Sequence, residues 1–228
     1  MKNRMSNFIK EKWRKMLRFF EDKMECLFAF GGIILAGFLV IFAAFMTPGY
    51  NPIKNTVSSL GNGSAKSFFS MGFVVGGSII IPFYIFLEKR VLSGINEFGR
   101  KIATGISIIT CVCVALVGVR PDDTYPNFFK AIHIMAAIIA FGGSVAYISL
   151  FSYLMFKDAK HNFQKYHAYL GFSILATFII FFISILQPII EWILTILIMA
   201  WILLTAGHMS FNRKMNDFLK NLHVLEKS

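Results

Sequence analysis

Six stretches of this chain contain no Asp, Glu, Lys or Arg: Leu27–Met46, Ser67–Leu87, Ile102–Val119, Ala131–Phe156, Ala168–Leu186 and Trp192–Gly207. A helix needs about 20 apolar residues to cross the roughly 30 Å hydrocarbon core of a bilayer. These stretches run from 16 to 26 residues. In hydrocarbon no water satisfies an open backbone N–H or C=O, so a spanning segment closes its own hydrogen bonds as a helix. The expected fold is therefore all-α: a polytopic membrane protein built as a bundle of six transmembrane helices. Of the 228 residues, 56% are hydrophobic and 15% charged, a composition unsuited to a soluble surface. Residues 26–210 form one transmembrane domain, with no segment left for a soluble one.

The net charge of +11 raises the question of a nucleic-acid partner. The placement of the 23 Lys and Arg residues answers it. Nineteen fall in the amino end, the 88–101 connector, the 157–165 connector and the carboxyl tail, and four in the intervening connectors. Positive charge that alternates in this way marks cytoplasmic loops, so both termini are expected inside, with membrane lipid, anionic at the cytoplasmic face, as the partner rather than nucleic acid. The expected location is the cell membrane. The first apolar run begins after about 25 residues rich in charge, which is not the layout of a cleavable signal peptide.

Residues 1–25 space Met5, Phe8, Ile9, Trp13, Met16, Leu17 and Phe20 at three-and-four intervals with basic residues between them. That is the pattern of a basic amphipathic helix lying in the membrane interface. Residues 211–228 repeat it as an amphipathic cytoplasmic tail. Cys26, Cys111 and Cys113 read as small apolar packing residues. The first outward loop, residues 47–66, is dense in Pro, Gly, Asn and Ser and is expected to be ordered by turns. Gly72, Gly76 and Gly77, and later Gly142 and Gly143, would let neighbouring helices approach closely. Pro82 is expected to bend the second span.

Two clusters carry the residue types that do chemistry. The outer one centres on the loop 120–126 and the helix after it, where Arg120, Asp122, Asp123 and His133 follow one another between Pro121 and Pro126. His133 falls about seven residues into its helix, roughly 10 Å below the interface, where an imidazole needs a partner. Asp122 or Asp123 orienting His133, with Ser59 completing the set, would make a catalytic constellation. Ser58, Arg120, Gln187 and Glu191 would supply ligand contacts around it. The alternative is structural: the aspartates cap the helix, Arg120 pairs with one of them, and His133 bonds a nearby backbone group. The inner cluster is His167 and His208. Counted from the Gln187–Ile190 turn, the two reach similar depth, as two ligands to a haem iron or another metal or as wetted interfacial residues. No Asp, Glu, Lys or Arg lies mid-span, which excludes the usual proton-relay and ion-pump designs.

NTVSSLGNG after the first span, the Gly-rich second span, and VGVRPDDTYPNFFKAIHIMAA across the third and fourth together resemble the six-span prokaryotic membrane family known as domain of unknown function 998. The likeness covers about residues 27–210 and rests on Ser58, Ser59, Leu60 and Gly61, then on Gly118, Pro121, Asp122 and His133. It implies an outward-facing polar site and brings no established reaction. That family is distantly similar to the Frag, DRAM and Sfk group of eukaryotic membrane proteins, which implies a lipid-related role. The HAYLG start of the fifth span, followed by Gln187, is similar to a helix of cytochrome b-type reductases, although this chain lacks their second, outer His pair. The sequence thus leaves three functions open: an amphiphile-binding or amphiphile-processing protein acting at the outer cluster, a haem-binding electron-transfer protein, and a scaffold whose basic ends recruit partners.

Overall fold

A computed structural model describes the backbone of residues 2–91, 96–119, 127–157, 163–184 and 186–225, and the side chains within these except 2–23, 90, 91, 127, 129 and 211–225. Among the described residues the regular elements are helices: α1 (Lys2–Met46), α2 (Lys66–Ile79), α3 (Ile81–Phe86), α4 (Glu97–Val119), α5 (Asn127–Phe156), α6 (Lys165–Ile183) and α7 (Pro188–Leu225). Six segments are long and apolar enough to span: Met24–Met46, Lys66–Lys89, Glu97–Val119, Lys130–Phe156, Lys165–Ile183 and Pro188–Ser210. Each charge-free stretch read from the sequence overlaps one of them, and the protein is a six-helix, multi-pass membrane bundle. The amphipathic ends do not break from their neighbours. Residues 2–25 continue the first span as one helix, and α7 runs on from the last span to Leu225.

Pro82 acts where the sequence places it. The second span is interrupted at Ile80, with Pro82 in the first turn of α3 and the Phe83 amide donating to the Ile80 carbonyl at 3.1 Å. A proline lacks the amide that would have continued the ladder. The span ends in a wide π turn over Leu87–Val91.

The helices pack in chain order around a ring. The first span meets the second, the second meets α4, α4 meets α5, α5 meets α6, α6 meets α7, and α7 closes on α1. Neighbours run antiparallel: Gly37 of α1 faces Met199 of α7, and nearer the chain ends Phe30 faces Gly207. The start of the first span and the end of the last therefore lie at one face of the bundle, here the terminal face, and the first loop and the α6–α7 turn lie at the opposite loop face. Glycines allow the closest approaches. A Cβ on Gly77 would stand 2.5 Å from the Cys111 carbonyl, and one on Gly118 would stand 2.7 Å from the Ser70 carbonyl, so α2 and α4 touch backbone to backbone at two levels.

A ring of six helices leaves a centre that only side chains can fill. Toward the terminal face it is filled by large aromatics. Tyr84, Phe151 and Trp201 are fully buried, and Phe151 stacks between the other two at centroid distances of 6.3 and 6.5 Å. The hydroxyls of Tyr84 and Tyr147 hydrogen-bond at 2.6 Å. Phenols buried in an apolar core need such partners. Each single Tyr→Phe replacement is expected to destabilise the bundle by about 1 kcal/mol, because it removes the hydrogen bond between the two hydroxyls. The double replacement should cost clearly less than the sum of the two, and an additive thermal-shift cycle would contradict the pairing.

Candidate functional site

The first loop is tied by its own hydrogen bonds, as its turn residues predict. Pro48 and Gly49 occupy the centre of a turn closed by the Tyr50 amide donating to the Thr47 carbonyl at 3.2 Å. Gly49 has φ +74°, a value that type II turns require at this position and that glycine adopts without strain. Asn51 and Asn55 brace the next turn: the Ile53 amide donates to Asn51 Oδ1 at 2.9 Å, and the Asn51 amide to Asn55 Oδ1 at 3.0 Å. Val57 and Leu60 are fully buried, packed with Val40, Phe69, Val117 and Ala140. The loop therefore plugs the loop face of the ring, and this inward packing sets the positions of Thr56, Ser58 and Ser59.

Against the plug stands the first turn of α7. Pro188 begins that helix, as proline's fixed φ and missing amide suit an N-terminal position. That first turn carries Glu191, and Trp192 follows it. The Trp192 indole donates to the Tyr50 hydroxyl at 2.9 Å, and that hydroxyl donates to the Thr56 carbonyl at 2.8 Å. Burial pushes the Tyr50 phenol up to about 12, so it stays protonated and remains a donor at neutral pH. Glu191 is 5% exposed. The backbone amides of Ser58 and Val57 are directed at its carboxylate, while its Oε1 is buried without a hydrogen-bond partner. A buried carboxylate oxygen with no donor is costly and rare in native structures.

Below Glu191 lies an open-sided cavity of about 1080 Å³ lined by residues from all six spanning segments. Its walls are apolar and its bore is set by small residues, among them Ala36, Gly37, Gly76, Ala137 and Gly142. Tyr84 and Tyr147 form its floor. Thr56, Ser58, Glu191 and Trp192 line its end at the loop face. Thr110 Oγ1, also in the wall, is a second buried polar atom without a partner. Some lining residues are half or more exposed: Ile41 at 51%, Ile138 at 59%, Phe182 at 60% and Ile196 at 58%. All four sit within spans, so the cavity is not sealed from the surroundings of the helices.

The structure draws together only part of the outer cluster anticipated from sequence. Ser58 and Glu191 meet at the cavity end. Ser59 lies in the same loop, but its hydroxyl donates to the Thr56 carbonyl at 2.7 Å, and no imidazole is hydrogen-bonded to it among the described residues. Gln187 is exposed, and its main-chain carbonyl accepts from the Ile190 and Glu191 amides. His133 is 5% exposed in α5, with Nδ1 buried and unpartnered, and it is not part of the cavity wall. Arg120, Asp122 and Asp123 lie outside the described residues.

The inner histidines are neighbours, as counting from the α6–α7 turn predicts. The rings of His167 and His208 meet edge to face at 4.6 Å, with Phe163 against both. His167 Nδ1 lies 3.1 Å from the Gln164 carbonyl, which selects the tautomer protonated there. Its Nε2 is buried near the Leu204 carbonyl. No group of three His, Cys, Asp or Glu side chains suited to a metal occurs among the described residues.

Two features at the faces escaped sequence reasoning. Tyr50 and Trp192, 142 residues apart, close the plug, and Arg100 is buried beside Glu88 at 3.8 Å. The isolated aromatics at span ends were the available signal for the first. The second had none, since Arg100 sits in a connector that otherwise reads as a basic surface.

No curated protein and no solved structure matches this chain. A family model does match, over residues 30–208, which takes in the plug, the cavity and most or all of each of the six spans. The chain belongs to that family, described as a protein of unknown function, DUF998.

Proposed function

We propose that this protein binds a membrane amphiphile in its central cavity, with the chain between the apolar walls and the head group at the Glu191 end. One observation carries the reading: an apolar cavity of about 1080 Å³ at the depth of the spans has a carboxyl side chain, Glu191, at one end. Ligand sites combine apolar walls with a few convergent polar groups in this way. The exposed wall residues Ile138, Phe182 and Ile196 would present hydrocarbon, not water, with an apolar way in. The Lys and Arg distribution orients the terminal face to the cytoplasm and the Glu191 end outward. Binding is favoured over hydrolysis because the Ser59 hydroxyl is engaged by the Thr56 carbonyl. The haem alternative is less well supported, since His167 and His208 already contact each other and Phe163, with their flanks filled by aromatic rings.

The reading is tested by lipid analysis of protein purified in a mild detergent. The native chain should retain an amphiphile in near-equimolar amount. Ala137→Phe, which places a ring in the bore, should reduce retention by about tenfold with the fold intact by circular dichroism. Equal retention by the two proteins would overturn the proposal.

A further inference from the structure

We infer that the Glu191 end of the cavity is a site for the primary ammonium head group of a long-chain amphiphile. The inference rests on the amphiphile reading above and adds the chemistry of the ligand. Glu191 is 5% exposed, lines the cavity and leaves Oε1 without a partner, and no salt bridge to it occurs among the described residues. An ionised carboxylate in such a place lacks the counter-charge that buried charges require. A ligand cation supplies it.

The neighbouring groups narrow the cation to one that donates hydrogen bonds. A primary ammonium has three donors and no acceptor. At this end of the cavity stand Glu191 Oε1, an acceptor when ionised, and the hydroxyls of Thr56 and Ser58, which lie 3.1 Å apart, Thr56 Oγ1 also accepting from the Ser59 amide at 3.2 Å. Trp192 lines the same end, with its N–H turned away to Tyr50. An indole face beside a carboxylate adds cation–π attraction. Once ionised, Glu191 also repels an anionic head by its like charge. The apolar walls between Glu191 and the Tyr84–Tyr147 floor leave the rest of the volume to a hydrocarbon chain.

Native mass spectrometry of the full chain in a neutral detergent at pH 7 tests this with four probes: hexadecylamine, hexadecanol, hexadecanoate and ethylamine. Hexadecylamine is expected to bind as one molecule per chain, about tenfold more tightly than hexadecanol, a ratio that a charge-assisted hydrogen bond supplies. Hexadecanoate and ethylamine are expected to show no specific adduct, the first for its charge and the second for want of a chain. In Glu191→Gln the preference for the amine over the alcohol should be lost.

Equal affinity for amine and alcohol in the native protein, or preference for the carboxylate, overturns the head-group assignment and leaves the amphiphile cavity standing. Failure of every long-chain probe to bind overturns the cavity reading itself. Tight binding of ethylamine would mean that the site takes a free amine and not an amphiphile. The native comparison decides the matter even if Glu191→Gln does not fold.

Discussion

Replacing Gly77 by valine is expected to destabilise the bundle by about 3 kcal/mol, the upper end of what overpacking a tight interface costs. The new Cβ would stand 2.5 Å from the Cys111 carbonyl oxygen and 2.8 Å from the Ala115 amide nitrogen. Both are backbone atoms of α4, so no rotamer change relieves the contact and the helices must separate. Separation would also undo the approach at Gly118, where α4 meets the backbone of Ser70 and Val74. Within a membrane no hydrophobic gain drives helices together, and close packing of this kind is a main source of association energy. Gly105→Ala is the control, since nothing lies within 4 Å of its added methyl and alanine is the better helix former. It should be neutral or slightly stabilising. Denaturation in graded sodium dodecyl sulfate separates the two, and matching midpoints would show that α2 and α4 are not in backbone contact at Gly77.

Trp201→Ala should be as damaging or more so, at about 3–5 kcal/mol. Trp201 is fully buried where the ring is filled solid, stacked on Phe151 at 6.5 Å. Its indole N–H donates to the main-chain carbonyl of His167 at 3.2 Å, tying α7 to the first turn of α6. Truncation empties the largest volume in that layer and strands the carbonyl. Trp201→Phe keeps most of the packing and loses the hydrogen bond, so a smaller loss of about 1–2 kcal/mol is expected. The same denaturation series checks both variants. An alanine variant as stable as the phenylalanine one would mean that the layer collapses to fill the gap.

The loop-face half of the ring behaves differently because it is built from different residues. Where the terminal half holds Tyr84, Tyr147, Phe151 and Trp201, the loop half presents Ala36, Gly37, Gly76, Ala137 and Gly142 to the centre. Exchanging large side chains for small ones at the centre leaves volume. The hollow is therefore a property of side-chain size on six separate helices. It coincides with the end of the bundle that carries Glu191.

Charge exclusion from hydrocarbon made the six spans legible, since a charged side chain at the bilayer centre is expensive and each span is read from the intervals between charges. The same local rules located the Pro82 interruption and the turns of the first loop, because proline and glycine act on their own backbone. The levelling of His167 with His208 followed from a constant helical rise counted on either side of one short turn. Those features depend on neighbours along the chain. The closed ring, the burial of Val57 and Leu60, and the Tyr50–Trp192 contact depend on which helix lies beside which, and apolar helices in an apolar solvent carry no stripe that names their partner. Glu191 shows the difference most plainly. As a letter in the sequence it is one acidic residue at the start of a span, suited to a helix N-terminus. Only when α7 closes against α1 and the first loop folds inward does its carboxylate come to stand, buried and incompletely partnered, at the head of a cavity.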